Sequence, residues 1–444
     1  MMARPGNWAV WGILCALALA ALPLLARNIL AIPAQVPLDP NEGWNAAHAL
    51  AAMAGRALYP PPASLMVNNY PPLSFYIVGV LAQLTGDAVV AGRIVSLLSF
   101  LACGGGIALV LRHMACRVRE QLLAVLFFAA ALLIASDYVA MDDPQLLGHA
   151  VQLAALLLLL REKPFAAALL FTVSLFLKHN LLALPLAAGG LLLWQDRSAA
   201  LRFVLCGAVA LLLGLILFRL FYGMDLLVQL ASPRRVSWAN LRFAVMHLWW
   251  AILPLVVLFT LRGPWKTFCR LYGAIALVLG VAFSAGDGVD ANAFFDLAIA
   301  CSLALGLVAE RGRPLLAALS AVPLPLFLAL NSFDNNFFFT RDFAAQSARD
   351  IAFVKSHPGP ALCDQLSLCL WAGKDAEVDV FNAGEQIKTG ARDPAPLAQM
   401  IVARRFAVLQ LADLDALGPA VRATIEKGYR TDHSDDNGSF LIPR

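Results

Sequence analysis

Residues 38–44 read Leu-Asp-Pro-Asn-Glu-Gly-Trp and place two carboxylates, Asp39 and Glu42, directly after the first long apolar run of the chain. That run is long enough to cross the hydrocarbon core of a bilayer as one helix. A second acidic pair, Asp142 and Asp143 in Met-Asp-Asp-Pro, precedes a later apolar run. Because an unpaired carboxylate is costly at a membrane edge, these acids are functional candidates.

The composition indicates a membrane protein with many spans. Hydrophobic residues make up 60% of the 444 residues and charged residues only 14%, which excludes an ordinary soluble domain. The formal net charge of +4 comes mainly from short loops, so we expect no nucleic-acid partner. The apolar runs predict about eleven crossings, near residues 8–30, 88–111, 121–138, 144–160, 164–177, 181–194, 203–221, 245–261, 271–285, 293–309 and 314–330.

The distribution of Lys and Arg predicts the topology. Residues 72–86 form one further apolar run, but it is short and begins with prolines, so we interpret it as an interfacial or half-inserted helix. Basic residues then gather in the loops of one side, as expected for the cytoplasmic side of an inner membrane. The N-terminus is cytoplasmic in this topology, and the loops 31–87 and 222–244 and the tail are extracytoplasmic.

The long loop 31–87 is predicted to be partly helical. Its segment 45–58 has apolar residues at helical spacing, which indicates an amphipathic helix lying on the membrane. Tyr59 and three prolines then end the helix. Trp44, just before this segment, is expected either to stack on a sugar ring or to sit at the membrane interface.

The chain is expected to divide into a transmembrane module, residues 1–330, and an extracytoplasmic domain, residues 331–444. The second part contains no predicted span. Its short apolar stretches alternate with helical ones, which is typical of a small α/β domain. Cys363 and Cys369 are expected either to form a local disulfide or to remain free thiols. The apolar stretches are 361–363, 378–381 and 406–411, and the helical ones are near 342–356, 394–404 and 415–428.

Seven short motifs follow one another along residues 1–330. They are Asp39-Pro-Asn-Glu-Gly-Trp-Asn-Ala-Ala-His48, Gly55-Arg-Ala-Leu-Tyr59, Asn68-Asn-Tyr-Pro-Pro-Leu-Ser-Phe-Tyr76, Gly92-Arg93, Met141-Asp-Asp-Pro144, Lys178-His179 and Gly288-Val-Asp-Ala-Asn292. Their order resembles that of GT-C glycosyltransferases, which include protein mannosyltransferases and aminoarabinose transferases. The resemblance implies an all-α polytopic membrane enzyme that moves a sugar from a polyprenyl-phosphate donor to a lipid, glycan or protein acceptor of the cell envelope. The expected reaction takes place on the outer face of the membrane and inverts the configuration at the anomeric carbon.

The resemblance also implies a catalytic carboxylate in the first outer loop. An acceptor hydroxyl is a poor nucleophile, and a carboxylate within hydrogen-bonding reach can take its proton. The Asp-Glu pair of the family is matched here by Asn41 and Glu42, so Glu42 is the first candidate and Asp39 the second. Capping of the following helix is the alternative role for both acids.

Other polar residues of the motifs are candidates for orienting the donor or the acceptor. Adjacent acids before Pro144 also suit a helix N-terminus, and Asn-Asn before Tyr-Pro-Pro also suits a turn. Both alternatives stay open. The candidates are Asp142, Asp143, Asn68, Asn69, Tyr70 and Asn292.

Cations near the outer edge are candidates for the donor phosphate. Lys178, His179 and Arg93 can stabilise the charge that the leaving phosphate acquires, and the competing role is contact with lipid headgroups. We predict no required cofactor. The sequence shows no zinc-type spacing of histidines, and binding of some other divalent metal is left open. Further phosphate candidates are Arg219, Arg234 and Arg235.

A transporter or a flippase for lipid-linked sugars is the alternative function. Such a protein needs ionisable groups near mid-membrane and broken helices in matching halves. The candidates above lie instead at one predicted membrane edge, which favours the enzyme. A structural envelope protein without catalysis is the third hypothesis, and in that case the acids would be replaceable.

Overall fold

The structure, a computed structural model, describes residues 6–332 and 341–444. The first range is helical, with two 3₁₀ segments at Leu133–Val139 and Ala291–Phe294. The helices of this range are α1 (Gly6–Ala31), α2 (Pro40–Met53), α3 (Leu73–Thr85), α4 (Ala88–His113), α5 (Val118–Leu132), α6 (Gln145–Leu160), α7 (Pro164–Leu177), α8 (Ala183–Gln195), α9 (Arg197–Tyr222), α10 (Asp225–Leu230), α11 (Trp238–Met246), α12 (Trp249–Thr260), α13 (Lys266–Phe283), α14 (Phe295–Glu310), α15 (Pro314–Ala321) and α16 (Pro323–Ser332).

A helix is present at every predicted span, and the chain is a membrane protein. In the described residues, six helices are long and apolar enough to cross a membrane: α1, α4, α5 and α14 with their 3₁₀ segments, α9 and α13. Helices α11 and α12 reach that length only together, and they meet at a bend of 67°. The remaining apolar helices have 10 to 17 residues. The number of about eleven crossings therefore stays a prediction.

The two helices of the long first loop differ in part from expectation. Helix α2 begins at Pro40, five residues before the predicted start, because Asp39 caps it and proline suits the first helical turn. Most of α2 is buried against α3, α4 and the C-terminal domain, so protein covers it. Helix α3 has 13 residues, follows two prolines and ends at Gly86 in the left-handed conformation. It is a short helix, as its sequence predicts.

The C-terminal domain is a four-stranded mixed sheet with short helices. The strand order is β1-β2-β4-β3; β1 pairs parallel to β2, and the other pairs are antiparallel. A disulfide joins Cys363 to Cys369, which confirms the first of the two alternatives. The elements are α17 (Arg341–Ser356), β1 (Ala361–Cys363), α18 (Leu366–Trp371), α19 (Val380–Lys388), α20 (Ala395–Val402), β2 (Val408–Leu411), α21 (Pro419–Gly428), β3 (Tyr429–Asp435) and β4 (Gly438–Pro443).

One stretch of this domain was predicted in the wrong class. Residues 378–381 alternate like a strand, but α19 begins at Val380 because Asp379 caps it by accepting a hydrogen bond from the Asn382 N–H at 2.9 Å. The C-terminal hairpin of β3 and β4 was not predicted. Its first strand is mostly polar and exposed, and apolar periodicity does not reveal such a strand.

The C-terminal domain packs directly on the long first loop. Leu65 of that loop is part of the hydrophobic core of the domain. The Trp371 indole donates a hydrogen bond to Asp87 at 2.9 Å. On the neighbouring loop, the Arg235 guanidinium lies 3.2 Å from the Glu385 carboxylate. These contacts bring the loops and the domain together around one cavity.

Candidate active site

A cavity of about 470 Å³ lies between the loops that follow the long helices and the C-terminal domain. Its polar wall comes from five separate parts of the chain. The polar and aromatic lining residues are Asp39, Asn41, Trp44, Asn69 and Tyr70 of the first loop, Tyr138, Arg234 and Asp290 of later loops, and Asp364, Asp379, Phe381, Asn382 and Lys388 of the C-terminal domain.

Asp39 is the predicted base candidate that faces this cavity. Its Oδ1 accepts the Asn41 N–H at 2.8 Å as the cap of α2. Within the described ranges, no hydrogen bond from the chain occupies Oδ2. Desolvation by burial raises the pKa of Asp39 to about 7, and the nearby negative charge of Glu42 adds to this effect. A carboxyl group with this pKa can accept a proton near neutral pH.

Glu42, the first base candidate, is buried and does not line the cavity. Its two oxygens accept two parallel hydrogen bonds from Arg93, Nε to Oε1 and Nη2 to Oε2, both at 2.7 Å. Oε2 also accepts the Leu38 N–H at 3.0 Å. A carboxylate that is saturated in this way is not available to a substrate hydroxyl.

Arg93, predicted as a phosphate ligand, is also fully buried. Besides Glu42, its guanidinium donates to the carbonyl oxygens of Ala31, Ala34 and Val36, each at 2.7 Å, and to that of Ile32 at 3.4 Å. These contacts use all five N–H groups of the side chain. Arg93 therefore fastens residues 31–36 to α4.

The second acidic pair lies behind the cavity wall. Asp143 accepts two hydrogen bonds from the Lys178 ammonium, at 2.9 and 3.0 Å, and both side chains are buried. The same ammonium lies 4.7 Å from the centre of the Tyr70 ring, and Tyr70 faces the cavity. Lys178 and Asp143 thus support the wall from the side opposite the cavity.

Asp142 occupies a different buried environment. Its side chain lies against Gly92, where any Cβ atom would overlap it. Burial, with the charges of Glu42 and Asp143, raises the pKa of Asp142 well above its ordinary value. Asp142 does not line the main cavity.

The remaining predicted residues are divided between the cavity and other places. Asn69 lines the cavity and donates to the Asn382 side chain at 3.4 Å. Asn68 is buried in the loop and bonds the carbonyl oxygen of Leu58 and the Tyr70 N–H. Asn292 and His179 lie outside the cavity lining.

Trp44 joins the first loop to the C-terminal domain inside the cavity. Its indole donates to Asp379 at 2.8 Å and to the carbonyl oxygen of Val67 at 3.0 Å. The Asn382 side chain donates to the same Asp379 oxygen at 2.7 Å. Burial raises the pKa of Asp379 to about 6, although these hydrogen bonds oppose the shift.

Sequence reasoning did not single out the cavity residues of the C-terminal domain or Tyr138. Asp379 carried a usable signal, since an Asp with Asn three residues later precedes a helical stretch and reads as a cap. For the other members of this group, no local pattern pointed to the cavity. They are Tyr138, Asp364, Asn382 and Lys388.

Arg234, one of the further phosphate candidates, is a cation of the cavity wall. Its guanidinium lies 5.3 Å from the centre of the Phe381 ring and donates to the carbonyl oxygen of Asp287 at 2.8 Å. Gly288 has φ +71° and leaves no room for a Cβ atom between Phe381 and Arg234. This close packing sets the position of the guanidinium at the cavity.

Two solved structures share this fold over nearly the whole chain. ArnT from Cupriavidus metallidurans in the apo state superimposes with a TM-score of 0.61 at 13% sequence identity, covering 96% of this chain and 97% of that one. The chain has the fold of ArnT. The ArnT structure bound to undecaprenyl phosphate gives a TM-score of 0.56 at 14% identity, covering 99% and 98% of the two chains. No protein-family model matches the chain, and no curated protein matches its sequence.

The ArnT fold agrees with the kind of fold that the sequence motifs implied. It also agrees with the all-α membrane module that carries a small C-terminal sheet. In the part of the chain that the structure describes, no three His, Cys, Asp or Glu side chains of this cavity bring ligand atoms together around one point.

Proposed function

We propose that the chain is an inverting glycosyltransferase that moves a sugar from a polyprenyl-phosphate donor to an acceptor hydroxyl of an envelope lipid, glycan or protein. The observation that carries the proposal is the presence of the Asp39 carboxylate and the Arg234 guanidinium on the wall of one cavity at the end of the membrane helices. A base and a phosphate-binding cation are the two groups that this reaction needs.

Asp39 is the proposed base. As the acceptor oxygen forms its bond to the anomeric carbon, Asp39 Oδ2 takes the hydroxyl proton, and the bond from the anomeric carbon to the phosphate oxygen breaks. The proton ends on the carboxyl group and the electron pair on the polyprenyl phosphate. The raised pKa of Asp39 matches this role, because a base with a pKa near the working pH transfers protons most efficiently.

Arg234 and Lys388 are the proposed partners of the leaving phosphate. Both line the cavity, and a guanidinium can bind phosphate through two parallel hydrogen bonds. Lys178 acts more indirectly in this proposal, because Asp143 holds its ammonium behind the ring of Tyr70. The Asp143–Lys178 pair keeps Tyr70 and this wall in place.

Glu42 and Arg93 are proposed to position the base. Their buried ion pair connects the start of α2 to α4, and Arg93 also donates hydrogen bonds to the backbone of residues 31–36. Asp39 lies between these two anchored segments. An error of about 1 Å in the position of a base costs much of its effect, so this rigidity has catalytic value.

The lipid half of the donor is inferred from two observations. One ArnT structure with this fold is bound to undecaprenyl phosphate. In addition, α9 exposes apolar side chains along nearly its whole length, as expected of a helix that faces lipid. These observations support a donor whose isoprenoid chain stays in the membrane while its phosphate enters the cavity.

A comparison of Asp39→Asn with Asp290→Asn tests the proposal. Both residues are cavity carboxylates that cap a helical segment, so the two variants change charge and capping alike. Cells that lack the chain are complemented with each variant, and their envelope glycans are measured by mass spectrometry. We expect Asp39→Asn to lower sugar transfer by about 10²–10⁴-fold, while Asp290→Asn keeps most of it.

The protein level and the melting temperature of each purified variant provide the folding control. Transfer at the wild-type rate by a folded Asp39→Asn variant would rule out Asp39 as the base. An envelope that shows no change in any glycan when the chain is deleted would argue against transferase activity and favour the transporter.

A further inference from the structure

A compact group of metal-ligand atoms lies in the C-terminal domain, outside the cavity. Asp350 on α17 and His433 and Asp435 on β3 place one ligand atom each within 4.8 Å of the other two. None of the three side chains lines the cavity that contains Asp39. A role for this group is therefore independent of the proposed sugar transfer.

The His433 ring is held in a fixed orientation by residues outside the group. It stacks on Phe440, with ring centres 4.5 Å apart and an angle of 8°, and it meets the edge of Phe353 at 4.8 Å. Its Nδ1 lies 3.1 Å from the Asp432 carboxylate. A ring whose proton is at Nδ1 and donated to Asp432 presents the electron pair of Nε2, as is common for metal-binding histidines.

Asp350 presents an oxygen to that electron pair. Its side chain is buried, and its Oδ2 accepts a hydrogen bond from Asn437 at 2.6 Å. Its Oδ1 lies 3.5 Å from His433 Nε2. Two acceptor atoms at this distance are held together either by a proton on Nε2 or by a cation between them.

The surrounding protein supplies little positive charge. In residues 341–444 as described, His433 is the one Lys, Arg or His side chain within ion-pair distance of Asp350. Asp435 and Asp432 add further negative charge beside it. Each of the three ligand residues also has an outer partner, which is typical of a metal site: Asp432 for the ring, and the side chain and backbone N–H of Asn437 for Asp350 and Asp435.

We propose that Asp350, His433 and Asp435 bind one divalent transition-metal ion, with Zn²⁺ as the best fit. One imidazole nitrogen and two carboxylate oxygens suit Zn²⁺, whereas Ca²⁺ and Mg²⁺ prefer oxygen ligands alone. The ion would join α17, where the described part of the domain begins, to the β3–β4 hairpin, where the chain ends. Its role is to stabilise the C-terminal domain.

Metal titration of the full-length protein tests this site. The protein is purified in detergent with a histidine-free tag, stripped of metal and titrated with Zn²⁺ or Ca²⁺ while bound metal and melting temperature are measured. We expect one Zn²⁺ per chain, a rise in melting temperature of a few degrees and a much weaker response to Ca²⁺. His433→Gln and Asp435→Asn should each weaken Zn²⁺ binding at least about tenfold.

His357→Gln is the matched control, because His357 also packs against Phe353 and lies in the same domain but is not part of the group. It should keep the wild-type Zn²⁺ affinity. Asp432→Asn should lower affinity by about 10–100-fold with the stoichiometry unchanged. Equal Zn²⁺ binding by the wild type and by folded His433→Gln would overturn the site, and so would the absence of binding by either protein. In that case a protonated His433 links the carboxylates of Asp350 and Asp432.

Discussion

Two of the candidate acids, Glu42 and Asp143, are held in buried ion pairs. Glu42 with Arg93 and Asp143 with Lys178 are each sequestered from solvent and bonded at 2.7 to 3.0 Å. Breaking such a pair leaves a buried charge without a partner, which is strongly destabilising. At the scale of single residues, these two acids therefore hold the structure together, and Asp39 is the acid of the first loop that faces the cavity.

Glu42→Gln should lower stability as well as activity. The substitution removes the negative charge that pairs with Arg93, while the Arg93 guanidinium stays fully buried. We expect a loss of about 3–5 kcal/mol in the free energy of unfolding, measured by denaturant titration of the purified protein in detergent. Unchanged stability with complete loss of transfer would return Glu42 to the role of catalytic base.

The rate of transfer should depend on a group with a pKa of about 7. Burial raises the pKa of Asp39 above that of an ordinary carboxyl, so the folded protein holds this proton up to neutral pH. The deprotonated base is lost as the pH falls through 7, and kcat/KM should then drop about tenfold per pH unit. Asp290→Asn should keep this limb but move it to lower pH, because the Asp290 charge contributes to the raised pKa of Asp39. A limb near pH 4 in the wild type would contradict the assignment.

At the scale of elements, the contact between α2 and α18 fixes the C-terminal domain over the cavity. Gly43 on α2 approaches the backbone of Leu366 and Ser367 so closely that a Cβ atom would overlap it. Backbone atoms in a helix cannot move aside as a flexible side chain can. Glycine is thus needed here for proximity, one residue away from the buried Glu42–Arg93 pair.

Gly43→Ala should therefore loosen the domain. Overpacking at this contact is expected to cost about 1–3 kcal/mol, and the separation of α2 from α18 should expose the chain near Trp371 to limited proteolysis. Gly105→Ala on α4 is the control, because its Cβ atom would enter open space. Equal protease sensitivity of both variants would show that the close approach is not a constraint.

At the scale of the whole molecule, the cavity that contains Asp39 exists only when the C-terminal domain is docked. Asp379, Asn382 and Lys388 form one of its walls, and Trp44 bridges to Asp379 across more than 300 residues of sequence. This arrangement requires the domain to lie on the same side of the membrane as the first loop. The charge distribution predicts that this is the extracytoplasmic side.

A phosphatase reporter fused after Arg444 should be active, because such enzymes need an oxidising, extracytoplasmic compartment. The disulfide between Cys363 and Cys369 is expected to be oxidised in the same cells, measured by thiol labelling before and after reduction. A cytoplasmic reporter fused at the same site is the control and should be inactive. The opposite pattern would invert the proposed topology.

The sequence alone determined where the membrane helices lie, because a backbone inside a bilayer must satisfy its own hydrogen bonds and long apolar runs therefore become helices. It also predicted an all-α membrane module, and it left a disulfide between Cys363 and Cys369 as one of two alternatives. Only the tertiary structure decided that Asp39 lines the cavity and Glu42 does not. These acids are three residues apart, and the difference between them comes from Arg93, 51 positions after Glu42.

The same holds for the C-terminal side of the cavity. Its residues meet the first loop through contacts between positions hundreds of residues apart, such as Trp44 with Asp379. Periodicity and capping signals describe neighbours along the chain, so they do not report which distant surfaces meet. That choice was made by packing, since Leu65 and Gly43 fit the domain against the loop in one arrangement.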